Sequence, residues 1–332
     1  MSSFKRIAVL GDGGWGTALA ILLCGKELDV TLWSAFPGYA RLLNKRRTNP
    51  VFLKGVRIPG GVRIVSELRD ALASDLIVVA VPSQYLRGVL LRSRGVYDRR
   101  TPVVSVVKGI ENKTLLRMSE VIREVWGSLR LAVLSGPTIA QEVAHGVPTA
   151  AVAASQDDWL MHETQGLFMA PRFRVYGNTD VVGVELGGSL KNIIAIACGI
   201  SDGLGFGTNT KAAIVSRGLA EMARLGAAMG ARRETFAGIS GLGDLVTTCF
   251  NPLSRNRAVG EKIGRGKTLG QITSHMRMVA EGVPTARAAF LLGKKFGVDL
   301  PICNEVYGVL FRGRSPRAAV RNLMGRQKKS EG

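Results

Sequence analysis

Cysteine is scarce in this 332-residue chain, and its spacing excludes the usual cysteine-based frameworks. The four residues, Cys24, Cys198, Cys249 and Cys303, lie far apart and form no C-x-x-C pair. Disulfide scaffolds and structural zinc sites need several cysteines at close, regular spacings. We therefore expect reduced thiols in the core of a cytoplasmic protein, and no metal site.

We also expect neither a membrane-spanning run nor a signal sequence in this chain, and its acidic residues are few. We expect no apolar run to reach the roughly 20 residues that a membrane span needs. MSSFKRIAVLGDGG enters a strand directly, so we expect no room for a signal sequence. Only 25 Asp and Glu stand against 45 Lys and Arg, a formal charge of +20. Such a balance attracts polyanions of any kind. Because helix-turn-helix, zinc-finger and RNP signatures are missing, we expect a solvated basic surface and no specific nucleic-acid partner.

The first stretch with a recognisable chemistry is a glycine-rich turn. RIAVLGDGGWGTALAILLC predicts a strand at residues 7–10 and a helix at 17–24, joined by the G-x-G-x-x-G motif of Gly11, Gly13 and Gly16. Gly11 permits the tight turn, Gly13 lets a diphosphate approach the main chain, and Gly16 lets helix and strand pack closely. The diphosphate would lie on N–H groups at the helix start. The pattern predicts a dinucleotide-binding domain.

The second predicted strand, DVTLW, ends without the acidic residue that binds the adenosine ribose in NAD-selective proteins. Ser34 and Ala35 follow Trp33 instead. Without a carboxylate to repel a 2′-phosphate, NADP is permitted as well as NAD. Basic residues occur only further on, at Arg41, Lys45, Arg46 and Arg47. The preference between the two cofactors stays open.

Three further segments indicate a parallel sheet and its ligand-binding edge. DLIVVAVPSQYL and TPVVSVVKGI have the β-branched runs of buried parallel strands. Ligands bind outside the carboxyl ends of such strands, which places Lys108 for chemistry or anion binding, the alternative being an ordinary lysine at a strand end. LAVLSGPTIAQEV predicts a strand to Leu134, a turn, and a helix that Thr138 caps.

From about Asp180 onward, helical periods replace the strand pattern. In GVELGGSLKNIIAIACGISDG, Lys191 stands among apolar residues on nearly every helical face. A buried ammonium is costly unless it is paired, neutral or able to reach water. Gly187 and Gly188 precede it and indicate that something approaches the backbone closely. Lys191 is thus a candidate for proton transfer, against the alternative of a lysine that reaches solvent at a helix end.

A second polar group follows in GLGDLVTTC and SRNR. Asp244 lies in a glycine-rich loop, and Arg255 offers a planar fork suited to a phosphate, between Ser254 and Asn256. The alternative is a solvated helix start with Ser254 as its cap. In isolation the short pattern favours that alternative.

Together, these motifs resemble those of the bacterial NAD(P)-dependent glycerol-3-phosphate dehydrogenases over residues 6–325. The matching stretches are GDGGWGTALA, VVAVPS, VVKGIE, LSGPTIAQEV, GVELGGSLKNIIAIACGISDGLGFGTNTKAA, RGLAEMARLG, GLGDLVTTC and SRNR. The resemblance implies a Rossmann-like doubly wound α/β domain, residues 1–182, followed by an all-α substrate and catalytic domain, residues 183–332. It implies reversible reduction of dihydroxyacetone phosphate to sn-glycerol 3-phosphate with NAD or NADP, feeding glycerophospholipid synthesis, and a homodimer in the cytoplasm.

The resemblance also implies roles for individual residues. Lys191 matches the catalytic proton donor and acceptor. The substrate-binding positions are Lys108, Gly136, Thr138, Lys191, Asp244, Ser254, Arg255 and Asn256. The cofactor-binding positions are Gly11, Gly13, Gly14, Trp15, Gly16, Lys108, Ala140, Arg255, Val279 and Glu281. Two positions depart from the pattern: Asp12 stands where relatives usually carry a small neutral residue, which bears on diphosphate affinity, and Ala35 lacks the basic side chain often seen there, which bears on NADP preference.

The sequence leaves the pKa of Lys191 undetermined. Desolvation and a nearby Lys108 would lower it, and Asp244, if close, would raise it. A helix that begins near Gly187 would lower it further through its dipole, whereas one capped at Asp180 would place Lys191 too deep for that effect.

Two other functions remain open at this level. β-Hydroxyacid and ketopantoate-type reductases also join a Rossmann domain to a helical domain with a lysine, but they have no need of the cluster at 254–256. A non-catalytic nucleotide-sensing or nucleic-acid-binding protein is suggested by the charge and disfavoured by Lys191. Subunit number, feedback control and the role of the basic stretch FRGRSPRAAVRNLMGRQKKSEG are not determined.

Overall fold

The β-branched runs and the helical periods form separate units in the computed structural model, which describes residues 3–276 and 278–328. One unit comprises Met1–Glu111 and Leu116–Glu185, and the other comprises Asn112–Leu115 and Leu186–Gly332. The predicted boundary between residues 182 and 183 falls in the same helix as this division. The last four residues of the basic C-terminal stretch lie outside the described residues.

Strands and helices alternate through the first unit. Its strands are β1 Arg6–Leu10, β2 Asp29–Trp33, β3 Thr48–Asn49, β4 Leu53–Arg57, β5 Val62–Val65, β6 Leu76–Val79, β7 Val103–Ser105, β8 Leu131–Ser135, β9 Thr149–Ala154 and β10 Phe173–Asn178. Its helices are α1 Gly14–Cys24, α2 Pro37–Arg46, α3 Leu68–Leu72, α4 Ser83–Ser93, α5 Met118–Trp126, α6 Ala140–Ala144 and α7 Asp158–Phe168.

Eight of these strands form one sheet in the order β5-β2-β1-β6-β7-β8-β9-β10, with β3 and β4 paired apart from it. The order from β5 to β8 is that of a doubly wound nucleotide-binding fold, and these strands pair in parallel, which confirms the predicted fold class. The sheet then departs from the purely parallel expectation, because β9 runs antiparallel to β8 before β10 pairs in parallel with β9.

Some predicted boundaries in this unit move in the structure. Helix α1 begins at Gly14, three residues before the predicted start, since Gly13 is its N-cap in extended conformation. Strand β7 ends at Ser105, so Lys108 lies in the loop after it. The prediction that Thr138 caps the next helix is wrong: Ile139 is the N-cap of α6, and the Thr138 hydroxyl donates to the Gly136 carbonyl at 3.1 Å.

After β10, every regular element in the described part of the chain is helical, as predicted. The elements are α8 Val181–Gly203, α9 Thr208–Ala228, α10 Arg233–Ala237, a π-helical turn Ile239–Gly243, α11 Asp244–Phe250, α12 Arg255–Gly264, α13 Leu269–Thr273, α14 Gly282–Phe296, α15 Pro301–Phe311 and α16 Pro316–Met324.

Helix α8 is the central helix of the second unit. It is long and apolar enough, by length and composition, to cross a membrane, contrary to the expectation from the sequence, but 94% of its apolar window is buried inside the protein. That burial is typical of a core helix. Gly260 of α12 packs against it so closely that a methyl group there would collide with the Ile196 carbonyl. Close contact of this kind fixes the middle of α12 beside α8.

The four cysteines are thiols that form no disulfide bonds, as expected. Cys198, Cys249 and Cys303 are buried, whereas Cys24 is half-buried at the end of α1.

Candidate active site

The glycine turn between β1 and α1 has the shape that the motif requires. Gly11 has φ of +121°, and a methyl group on it would lie 2.7 Å from the Ala80 carbonyl oxygen. A methyl group on Gly16 would collide with the Gly11 carbonyl. Only glycine satisfies these positions, because one needs a left-handed backbone and the other has no room for a side chain.

The same turn presents an open cradle at the start of α1. A methyl group on Gly13 would have no atom within 4 Å, while Gly14 packs against the Phe52 carbonyl and lies near the side chain of Ala140. The N–H groups of a first helical turn have no partner within their helix, and α1 carries no acidic residue there. These features fit the diphosphate of a dinucleotide, which binds to main-chain N–H groups at a helix start.

Two polar side chains of this turn are incompletely bonded in the described part of the chain. Asp12 Oδ2 and Trp15 Nε1 are both buried and have no hydrogen-bond partner there. Burial raises the pKa of the Asp12 carboxyl, and a hydrogen bond with Ser34 offsets this only in part. The indole ring of Trp15 lies 6.4 Å from that of Phe173.

Lys108 lies with two other predicted residues at the carboxyl ends of β7 and β8. Its Nζ donates to the Gly136 carbonyl at 2.7 Å and to the Thr138 hydroxyl at 3.3 Å. Gly136 has φ of +146°, which turns the chain sharply after β8. The first unit therefore holds Lys108, Gly136 and Thr138 together at the edge where doubly wound folds bind ligands.

In the second unit, Lys191 lies near the middle of α8 and is paired. Asp180 accepts a hydrogen bond from the Gly183 N–H at 2.8 Å, and α8 begins at Val181. The structure therefore has the start at Asp180 that places Lys191 beyond the reach of the helix dipole. Lys191 Nζ forms an ion pair with Asp244 and donates to the Thr248 hydroxyl at 2.7 Å. The alternative of a lysine reaching solvent is wrong, since only 7% of its side chain is exposed.

Gly187 explains how Asp244 comes to face Lys191. A methyl group at Gly187 would lie 2.7 Å from the Ser240 carbonyl oxygen, in the π-helical turn. That contact is the close backbone approach expected from the glycine pair. The contact holds the start of α11 against α8. Lys191 lies on α8 one helical turn after Gly187, and so it faces the start of α11.

Thr248 was not identified from the sequence. It lies four residues after Asp244 on α11, so both side chains project from one face of that helix, and its hydroxyl donates to the Asp244 carbonyl at 2.7 Å. The spacing of four within GDLVTT is the signal that marks it. Asn192, next to Lys191, was also missed.

Two residues of the cluster at 254–256, Ser254 and Asn256, form hydrogen bonds that hold the start of α12 in place. Ser254 is the N-cap of α12 and accepts from the Arg257 N–H at 3.3 Å, as the alternative interpretation predicted. Asn256 donates to Asn192 Oδ1 at 2.8 Å and accepts from the Gly282 N–H at 2.9 Å. Its buried amide therefore fixes α12 to α8 and to the start of α14.

Arg255 remains exposed at the same helix start. One guanidinium nitrogen donates to the Val279 carbonyl at 2.8 Å, and Glu281, the N-cap of α14, acts electrostatically on it. Val279 and Glu281, predicted at the nucleotide, thus belong to the second unit and surround Arg255. The other N–H groups of the Arg255 guanidinium can donate to an anion.

Comparisons with known proteins agree with both units. Residues 6–161 match the family model described as the NAD-dependent glycerol-3-phosphate dehydrogenase N-terminus, and residues 180–321 match the model of its C-terminus. Together they span most of the chain.

Individual relatives are similar over nearly their whole length. Glycerol-3-phosphate dehydrogenase [NAD(P)+] of Geobacter metallireducens is 50% identical, over 98% of this chain and 99% of the relative. The protein of the same name from Geobacter sp. strain M21 is 48% identical, over 99% of each. The crystal structure of glycerol-3-phosphate dehydrogenase from Coxiella burnetii superposes with a TM-score of 0.94 at 36% identity, covering 97% of this chain and 99% of that one. The chain therefore belongs to the NAD-dependent glycerol-3-phosphate dehydrogenase family.

Proposed function

We propose that this protein reversibly reduces dihydroxyacetone phosphate to sn-glycerol 3-phosphate with NADH or NADPH, and that Lys191 carries the proton. Family membership over both units supports the reaction. The observation that carries the proton-transfer role is the buried Lys191 ammonium, held by Asp244 and Thr248.

The reduced nicotinamide, when bound, supplies the hydride to the ketone carbon. Lys191 then acts on the ketone oxygen, where negative charge develops. The charged ammonium polarises the carbonyl and donates a proton to the oxygen, and the neutral amine accepts that proton in the reverse direction. Asp244 pairs with the ammonium and, with Thr248, fixes the direction of Nζ.

The other predicted residues have binding roles in this proposal. Arg255 binds the substrate phosphate through its exposed fork, since guanidinium groups match phosphate geometry. Ser254 and Asn256 set its position at the start of α12. In the first unit, the cradle of Gly11, Gly13, Gly14, Trp15, Gly16 and Ala140 binds the nucleotide, and Lys108, Gly136 and Thr138 contact the substrate.

We extend the proposal to the setting of the enzyme. The product is the backbone precursor of glycerophospholipids, so the reaction feeds their synthesis. We place the protein in the cytoplasm as a homodimer. Sedimentation of the purified protein at several concentrations tests the subunit number.

The test is oxidation of NADH and of NADPH, followed at 340 nm with dihydroxyacetone phosphate as substrate. A ketopantoate and a β-ketoacid serve as comparison substrates. Rapid turnover restricted to dihydroxyacetone phosphate is expected. Preference for either comparison substrate would overturn the assignment in favour of the related reductases.

A further inference from the structure

Asp12 of the glycine turn lies beside the carboxyl end of β2. The N–H of Gly11 donates to the Trp33 carbonyl at 3.1 Å, which ties the turn to the last residue of that strand. The Asp12 carbonyl accepts from Asn49 at 2.8 Å and from the Thr17 hydroxyl at 3.2 Å. The buried Asn49 also donates to Thr17 Oγ1 at 2.8 Å, so the main chain of Asp12 is firmly positioned.

The side chain of Asp12 points toward the residue that follows β2. Its carboxylate has a hydrogen bond with Ser34 and acts electrostatically on Tyr39 of α2. Oδ2 has no hydrogen-bond partner in residues 3–276 and 278–328. The Asp12 carboxylate thus places a negative charge and the acceptor Oδ2 beside the end of β2, where the strand's own residues provide neither.

Two of the cations near this strand end have contacts of their own. The guanidinium of Arg47 donates to the carbonyls of Ile58, Pro59 and Val62. The Arg92 guanidinium lies 5.9 Å from the centre of the Trp33 ring.

We propose that Asp12 replaces the missing acidic residue at the end of β2 and makes the protein select NADH over NADPH. A carboxylate at this strand end accepts a hydrogen bond from the adenosine ribose in NAD-selective folds, and it repels a 2′-phosphate. Here the carboxylate comes from the glycine turn. Such selection presupposes the nucleotide site proposed for the first unit.

The test measures binding of NADH and of NADPH to the protein alone, by calorimetry at pH 8 and constant ionic strength, without substrate. NADPH should bind at least about tenfold more weakly than NADH, as expected for one unfavourable charge contact. Asp12→Asn keeps the shape and removes the charge, and Asp12→Ser removes both. Each should lower the NADPH to NADH ratio of Kd values about tenfold, mainly through tighter NADPH binding.

Asp29→Asn is the matched control, because it removes the same charge from the exposed amino end of the same strand. Its ratio should equal that of the unaltered protein. An unaltered protein that binds NADPH as tightly as NADH overturns the proposal even if the Asp12 variants do not fold. So does an unchanged ratio in both folded variants. Binding of neither nucleotide overturns the nucleotide site as well, whereas selective NADH binding without dihydroxyacetone phosphate reduction supports the Asp12 role and overturns only the proposed reaction.

Discussion

Lys191 and Asp244 form an ion pair inside the second unit, with 7% and 1% of their side chains exposed. They are separated by 53 residues in sequence. Removing one partner of a buried pair leaves an uncompensated charge and costs about 3–5 kcal/mol. The two residues are therefore coupled in stability as well as in the proposed chemistry.

Replacing Lys191 by Ala should abolish turnover and leave nucleotide binding intact. Loss of a positioned acid or base lowers kcat by about 10²–10⁴-fold, while the nucleotide cradle belongs to the first unit. Steady-state kinetics and NADH calorimetry measure the two effects. Lys262→Ala, at an exposed position of α12, should change neither, and near-normal turnover of Lys191→Ala removes the assignment. Because the lone Asp244 charge destabilises this variant, Lys191→Ala with Asp244→Asn should be the more stable protein and equally inactive.

Thr248→Val should lower kcat about tenfold, since it removes one hydrogen bond to Nζ worth roughly 1.4 kcal/mol. The affinity for NADH should stay unchanged. Thr247→Val is the matched control on the preceding residue of α11, and it should retain full kcat. Equal activities of the two variants would contradict a positioning role for Thr248.

Gly13→Ala and Gly16→Ala should separate nucleotide binding from folding. The methyl group at Gly13 meets no protein atom within 4 Å, so Tm should hold while Kd for NADH rises. At Gly16 the methyl group collides with the Gly11 carbonyl, so Tm should fall. Thermal unfolding and calorimetry on both variants check this. If Gly13→Ala binds NADH normally, a diphosphate does not occupy the cradle.

Arg255→Ala should raise KM for dihydroxyacetone phosphate by roughly 10- to 100-fold, the range for losing a charged hydrogen bond. For dihydroxyacetone, which carries no phosphate, the change should be much smaller. Arg265→Ala, at the exposed other end of α12, controls for loss of a positive charge. Equal effects of Arg255→Ala on both substrates would exclude a phosphate contact.

Glu221 should make the stability of the protein depend on pH. Burial raises the pKa of this carboxyl to about 7, although the N–H groups of Ile302 and Cys303 donate to it and lower the pKa in part. A raised acid pKa means that the folded state binds the proton more tightly than the unfolded state. The stabilisation of the folded state by protonated Glu221 is fully present below about pH 4.5 and is lost as the pH rises through 7. The total loss in the free energy of unfolding is on the order of 3 kcal/mol.

Urea unfolding between pH 4.5 and 8 measures that change. Glu221→Gln should remove this part of the pH dependence of the unfolding free energy. The variant also differs in absolute stability, because its single amide oxygen cannot replace both carboxylate oxygens as acceptors of the two N–H bonds. Glu234→Gln alters an exposed carboxylate and should preserve the slope. A slope that survives in Glu221→Gln would assign it to another group.

Local patterns were sufficient for several features. The glycine turn, the end of β2 at Trp33 and the change from strands to helices near Asp180 follow from neighbouring residues, because backbone conformation and hydrophobic period are local properties. The helix cap at Ser254 was also readable from its own segment. Boundaries such as the start of α1 were displaced by a few residues because a neutral glycine serves as its cap.

Contacts between distant segments were decided only by tertiary structure. That Asp244 and Thr248 face Lys191 depends on the fit of Ser240 against Gly187, and that Asp12 lies beside the end of β2 depends on the bond from Gly11 to Trp33. The reversal of β9 beside β8 is of the same kind. A sequence fixes which residues can be buried and how each segment turns, whereas the partner of a buried charge is chosen by packing over tens of residues, which no local pattern records.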